Sequence, residues 1–251
     1  MLRLVFFFFL FFFFLFVLFF LFYLLFLFFP FLSLTFPLLP FSSSHLTNPH
    51  LQPPINDLRF RVPQSLNESW STSKPATEYP PFCVGYGTDD FEQETDEDCL
   101  YLNVIRPSSI PLNASLPVAF WIHGGGFFEG GSGDARYNLS FIVQNSVDMG
   151  TPMIGVSVQY RLSAFGFLGG SEMLETGNTN IGYRDQRLAL QWVNENIGSF
   201  GGDKDKVTIW GESAGAASVG AQVLAYNGVL LCFFLESRLL LEYLLTVNRT
   251  R

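Results

Sequence analysis

The chain has 251 residues, a net charge of −8 and a sequence pI near 4.8. No basic cluster occurs anywhere, which excludes nucleic acid or an anionic membrane surface as an electrostatically recruited partner. Hydrophobic residues make up 49% of the sequence, yet eighteen of the thirty phenylalanines fall in residues 6–41, so the average joins two polymers of different character.

In chain order, the stretch Leu4–Phe29 carries no charge and is almost entirely Phe and Leu. At about 1.5 Å per residue it is long enough to cross a bilayer as a helix. Only Arg3 precedes it. Its length exceeds the roughly 7–15-residue apolar core of a secretory signal, and no small-residue cleavage site follows. Residues 1–29 therefore read as an apolar N-terminal helix, a signal anchor that would attach the protein to a membrane through residues 4–29. A cleaved signal and a misassigned start of translation are the alternatives. Residues 30–51 are rich in Pro and Ser (Ser42-Ser43-Ser44, Pro49) and read as a linker, in which His45 and His50 are solvated and without a role. From residue 52 the composition becomes that of a globular domain, which runs to residue 227, followed by an apolar tail over 228–251.

Cys83 and Cys99, sixteen positions apart, suggest a disulfide closing a surface loop, worth about 3 kcal/mol in the chain-entropy model. Two free thiols are the alternative, and Cys232 is left over. Asn67, Asn113, Asn138 and Asn248 head N-x-[S/T] triplets. They are glycan acceptors if the chain enters the secretory pathway, as the N-terminal tract suggests.

Glu97–Ile105 ends in a strand-like alternation, and Pro117–Ile122 is a second apolar run that feeds His123-Gly124-Gly125-Gly126-Phe127. Three glycines after a strand leave bare amide groups free to point at one spot, as a developing oxyanion requires. The alternative is an ordinary glycine-rich turn. Met153–Tyr160 is a further strand, and Asp185–Ile197 has helical apolar spacing closed by Gly198. Val207–Trp210 then leads into Gly211-Glu212-Ser213-Ala214-Gly215. A serine between two glycines, behind an apolar strand and ahead of small residues, reads as a nucleophile elbow. The succession of strands and helices predicts an α/β fold with a mostly parallel sheet covered by helices.

These motifs resemble the type-B carboxylesterase family of the α/β-hydrolase fold, with its cholinesterases and fungal esterases and lipases. The resemblance rests on Glu97-Asp98-Cys99-Leu100-Tyr101-Leu102-Asn103, the glycine loop, Gly182-Tyr183-Arg184-Asp185-Gln186, Phe200-Gly201-Gly202-Asp203 and the elbow. It covers residues 52–227 and looks most like the fungal branch. It implies Ser213 as nucleophile and an oxyanion hole built from the N–H groups of Gly125, Gly126 and Ala214. Glu212 would tune the electrostatics beside the serine and His123 would order the loop. It also implies a Cys83–Cys99 pair, an Arg59–Glu97 ion pair, a carboxylic ester substrate, and no metal or cofactor.

The chain departs from the resemblance at both ends. It ends 38 residues past Ser213, and its only histidines are His45, His50 and His123. The acid and histidine that the family places after the nucleophile are absent. The expectation is a truncated α/β-hydrolase, an esterase or lipase by lineage and nearly inert as written. The alternative is a non-catalytic membrane or secretory protein on the same scaffold. The ester itself and the oligomeric state are not legible.

Overall fold

A computed structural model describes residues 43–66, 71, 76–88 and 92–228. Residues 1–29, expected as an apolar helix, and the tail from 229 onward lie outside the described residues, as do Asn67 and Asn248. The expectation of a transmembrane protein is corrected: among the described residues no helix is long and apolar enough to cross a membrane. The longest, Ile181–Asn196, has 16 residues and carries Arg184, Asp185, Arg187 and Glu195.

Seven strands are described. They are β1 (Ser43–Pro49), β2 (Phe82–Cys83), β3 (Thr95–Asp96), β4 (Tyr101–Pro107), β5 (Leu116–Ile122), β6 (Ile154–Val158) and β7 (Gly202–Gly211). β2 and β3 form a separate small pair, and the other five make one sheet in the order β1-β4-β6-β5-β7. β5 runs parallel to both β6 and β7. β4 runs antiparallel to β6, and β1 antiparallel to β4. The sheet is therefore mixed, which corrects the expectation of a mostly parallel one. β4 reaches β5 through a short loop that reverses the chain, whereas each parallel connection needs a helix to carry the chain back.

The structure also corrects the linker over 30–51. β1 lies inside it and pairs along its whole length with β4, from Ser43 opposite Pro107 to Pro49 opposite Tyr101. An edge strand is held by backbone hydrogen bonds on one side only, so it tolerates the Ser and Pro that a central strand would reject. His50, expected in solvent, follows β1 directly and is 2% exposed, with both ring nitrogens unpartnered. Burial lowers its pKa to about 3.

Alternation along the strands sorts two faces. Leu102, Val104, Phe120, Ile122, Val156, Val158, Val207 and Ile209 point into the main core. On that side lie two helices, α4 (Ile181–Asn196), which contributes Ala189, Leu190 and Val193, and α5 (Ala214–Leu224), which contributes Val219. Ile105, Trp121 and Trp210 face the other way, onto Leu139 and Val143 of α1 (Ser140–Asp148) and its approach. Two short helices, α2 (Ser163–Phe167) and α3 (Ser171–Glu175), lead from β6 toward α4. α4 passes into a 3₁₀ turn and stops at Gly201, which is left-handed at φ 85°, rather than at the expected Gly198.

From β5 the chain steps through α1 to β6 on one side, then through α4 back across β5 to β7 on the other. The carboxyl end of β5 is thus a switch point of the sheet, where open α/β folds leave a crevice for ligands. Ile122 at the end of β5 is in register with Gly211 at the end of β7.

Candidate active site

The two stretches singled out by their glycines leave from those two register partners. The loop 123–127 follows Ile122, and the elbow follows Gly211. Where they adjoin, the backbones are nearly in contact. A Cβ placed on Gly124 would lie 2.3 Å from the Glu212 carboxylate and 3.2 Å from the Ser213 Cβ. Only glycine allows this approach.

Ser213 stands between β7 and α5 with φ 52° and ψ −118°, a conformation that a residue with a Cβ adopts only under strain. It is exposed, as is Glu212, while Ala214 begins α5 and is buried. Glu212 accepts a hydrogen bond from the Tyr137 hydroxyl at 3.2 Å. Tyr137 in turn packs on Trp121, which meets Trp210 edge-on at 4.4 Å.

In a planar trans peptide the carbonyl and the next N–H point in opposite directions, so anchoring the carbonyl aims the amide. The Gly124 carbonyl accepts from His123 Nδ1 at 2.9 Å, which fixes the peptide that carries the Gly125 N–H. The Gly125 carbonyl accepts from the amides of Phe128 and Glu129, both at 3.0 Å, which fixes the Gly126 N–H. The Ser213 carbonyl accepts from the Ala217 amide at 3.0 Å, which fixes the Ala214 N–H at the start of α5. The far end of the loop is held as well, since the Phe127 carbonyl accepts from the Ser163 amide at 2.7 Å. Each of the three amides expected from the sequence thus belongs to a peptide pinned on its opposite side.

His123 is fully buried. A carbonyl can only accept, so Nδ1 carries the proton and Nε2 is left without a partner. Burial lowers its pKa to about 4, against smaller opposing effects of the Gly124 carbonyl and Asp134, and the ring is neutral at pH 7. It belongs to the loop's scaffold. No hydrogen bond links it to Ser213.

The remaining expected residues lie elsewhere. Cys83 and Cys99 are bonded, with S–S 2.01 Å. Arg59 meets Glu97 at 2.5 Å, but the Arg59 side chain is 43% exposed, so the pair that the resemblance implied stands partly in water. The buried clamp, missed in the sequence, is Arg161 with Asp185. Two hydrogen bonds at 2.6 and 2.8 Å join them, and neither side chain is more than 3% exposed. A charge inside the strand-end run Tyr160-Arg161-Leu162 was the available signal. Asn113 and Asn138 are exposed, as glycan acceptors must be. A cavity of about 450 Å³, lined by His50, Leu188, Trp192 and Phe200 among others, includes no residue of the loop or the elbow. Among the described residues no group of His, Cys, Asp and Glu is arranged to hold a metal ion.

This geometry can be set beside known proteins. The carboxylesterase family profile matches residues 43–228. The chain belongs to the carboxylesterase family. It is 42% identical over 208 residues to lipase 2 of Geotrichum candidum, covering 72% of this chain and 36% of that one. It is 44% identical over 200 residues to secreted lipase 1 of Botryotinia fuckeliana, covering 72% and 34%. Among solved structures, Aspergillus niger EstA superposes with a TM-score of 0.65 at 38% identity, covering 73% of this carboxylesterase-family chain and 35% of EstA. The chain thus spans about a third of the length of the relatives it matches. Its mixed sheet and flanking helices are those of a partial α/β-hydrolase, and its lineage is that of serine hydrolases acting on carboxylic esters.

Proposed function

We propose that this chain carries the nucleophile and oxyanion hole of a carboxylic ester hydrolase. Ser213 Oγ attacks the ester carbonyl, and the N–H groups of Gly125, Gly126 and Ala214 stabilise the tetrahedral oxyanion. The proton given up by the Ser213 hydroxyl ends on the leaving alkoxide, which departs as the alcohol; water then attacks the acyl-serine, its oxygen going to the acid and one proton returning to Oγ. The supporting observation is the abutment of a strained Ser213 on a glycine loop whose peptides are held by hydrogen bonds to their carbonyls. Glu212, steadied by Tyr137, places a carboxylate beside the nucleophile, where it favours transient positive charge on a base. Relatives named as lipases favour a lipid ester, and the name secreted lipase, with the Cys83–Cys99 bond, favours the secretory pathway.

Neither histidine with a described side chain is bonded to Ser213, and both are buried and hard to protonate. By itself the chain should therefore acylate slowly and turn over hardly at all. In a serine protease of another fold, loss of the histidine costs about 10⁶ in turnover. A fluorophosphonate probe followed by peptide mass spectrometry tests the reading. Slow labelling confined to Ser213, and absent in Ser213→Ala, is the expected result. Labelling elsewhere, or none after prolonged exposure of folded protein, would favour a scaffold without chemistry.

A further inference from the structure

We propose that Tyr160 is a positioning residue for the oxyanion hole: its hydroxyl and ring together hold His123, which aims the Gly125 N–H. The proposal rests on the reading of Ser213 as the nucleophile. Tyr160 lies just past the end of β6 and is fully buried. Its hydroxyl donates to the His123 carbonyl at 2.9 Å, and its ring stacks on the His123 imidazole with centroids 4.4 Å apart and planes 22° apart. One side chain thus grips the same residue by its backbone and by its ring.

The grip passes directly to the amide. With the imidazole held flat against Tyr160, Nδ1–H reaches the Gly124 carbonyl, and the trans peptide turns the Gly125 N–H the opposite way. His123 Nε2 has no partner, so no hydrogen bond at that nitrogen fixes the ring. The phenol is held protonated by burial, which pushes its pKa up, so it remains a donor across the neutral range.

The test uses the whole chain, labelled with ¹⁵N-glycine, and phenylboronic acid, which forms a tetrahedral adduct on a serine hydroxyl. In the wild type the Gly125 and Gly126 amide protons should move downfield on adduct formation. Tyr160→Phe keeps the ring stack and removes only the hydroxyl. It should weaken the adduct about tenfold and shrink the Gly125 shift, a loss smaller than deletion of a donor itself. Replacement of Tyr160 by 4-aminophenylalanine, which restores a donor at the same place, should recover most of both, and it serves as the test if the phenylalanine variant does not fold. A change in melting temperature alone would not produce this pattern. Equal affinity and an equal Gly125 shift in the folded variants would overturn the role of Tyr160 while leaving Ser213 as the nucleophile. No adduct in the wild type would overturn both.

Discussion

Gly215 of α5 runs so close to Ile122 of β5 that a Cβ on the glycine would lie 2.0 Å from the Ile122 carbonyl oxygen. At this point helix and strand touch backbone to backbone, and Ser213 is tightly held two residues upstream. Because the obstacle is backbone, it cannot swing aside. Gly215→Ala should cost at least about 3 kcal/mol of stability. Gly220, one turn farther along α5, has open space around it, and Gly220→Ala should gain about 0.5–1 kcal/mol. Urea unfolding of the two variants measures the contrast, and similar midpoints would count against the close approach.

Strain at the elbow can be separated from its chemistry. Ser213→Ala removes the hydroxyl but keeps the Cβ at φ 52°, whereas Ser213→Gly removes both. The glycine variant should be more stable than the alanine variant by about 1 kcal/mol. Both should resist the fluorophosphonate. Equal stability of the two would mean that the backbone at Ser213 is at ease.

The two ion pairs should respond very differently to mutation. Asp185→Asn leaves the Arg161 charge buried without its counter-ion and should cost about 3–5 kcal/mol. Arg59→Ala opens a pair already half in water, so its unfolding midpoint should stay close to that of the wild type. Thermal and urea midpoints of the two variants, compared side by side, decide which pair holds the domain.

Acid should weaken the domain before its carboxylates titrate. His123 and His50 have folded pKa values of about 4 and about 3, below the ordinary 6.5, so the unfolded chain binds more protons in the intervening window. Stability conferred by the neutral rings is fully present above about pH 6.5 and is lost as the pH falls toward 4, by an amount on the order of 3 kcal/mol per histidine. His50→Phe should reduce the slope of stability against pH between 6.5 and 4.5. An unchanged slope would mean that His50 is not buried in solution.

The elbow and the glycine loop could be read from sequence because each depends on local chemistry, a turn that only glycines permit beside a strand of apolar residues. The cores of β5, β6 and β7 were visible for the same reason, as alternation on a buried sheet. β1 was hidden because its place is set by β4, more than fifty residues away, and its own composition of Ser, Asn and Pro argues for a loop. α1 escaped notice because it buries only Val143 and Ser146. The Arg161–Asp185 clamp and the hold of Tyr160 on His123 were hidden too, since each joins residues distant in sequence, and the charge of Arg161 at a strand end signals a partner without naming it.

Arg161 does more than balance a charge. Its Nη1 also donates to the carbonyls of Arg59 and Arg61, at 3.2 and 2.9 Å, so one guanidinium joins residues 59–61, the end of β6 and α4. These contacts span about a hundred positions of chain, and loop-closure entropy delays them until the sheet has brought the segments together. If those contacts to residues 59–61 form after the sheet, their loss should appear mainly as faster unfolding with a nearly unchanged folding rate. An unchanged unfolding rate in Asp185→Asn, with slowed folding, would instead place the polar centre of this domain among the contacts that start the fold.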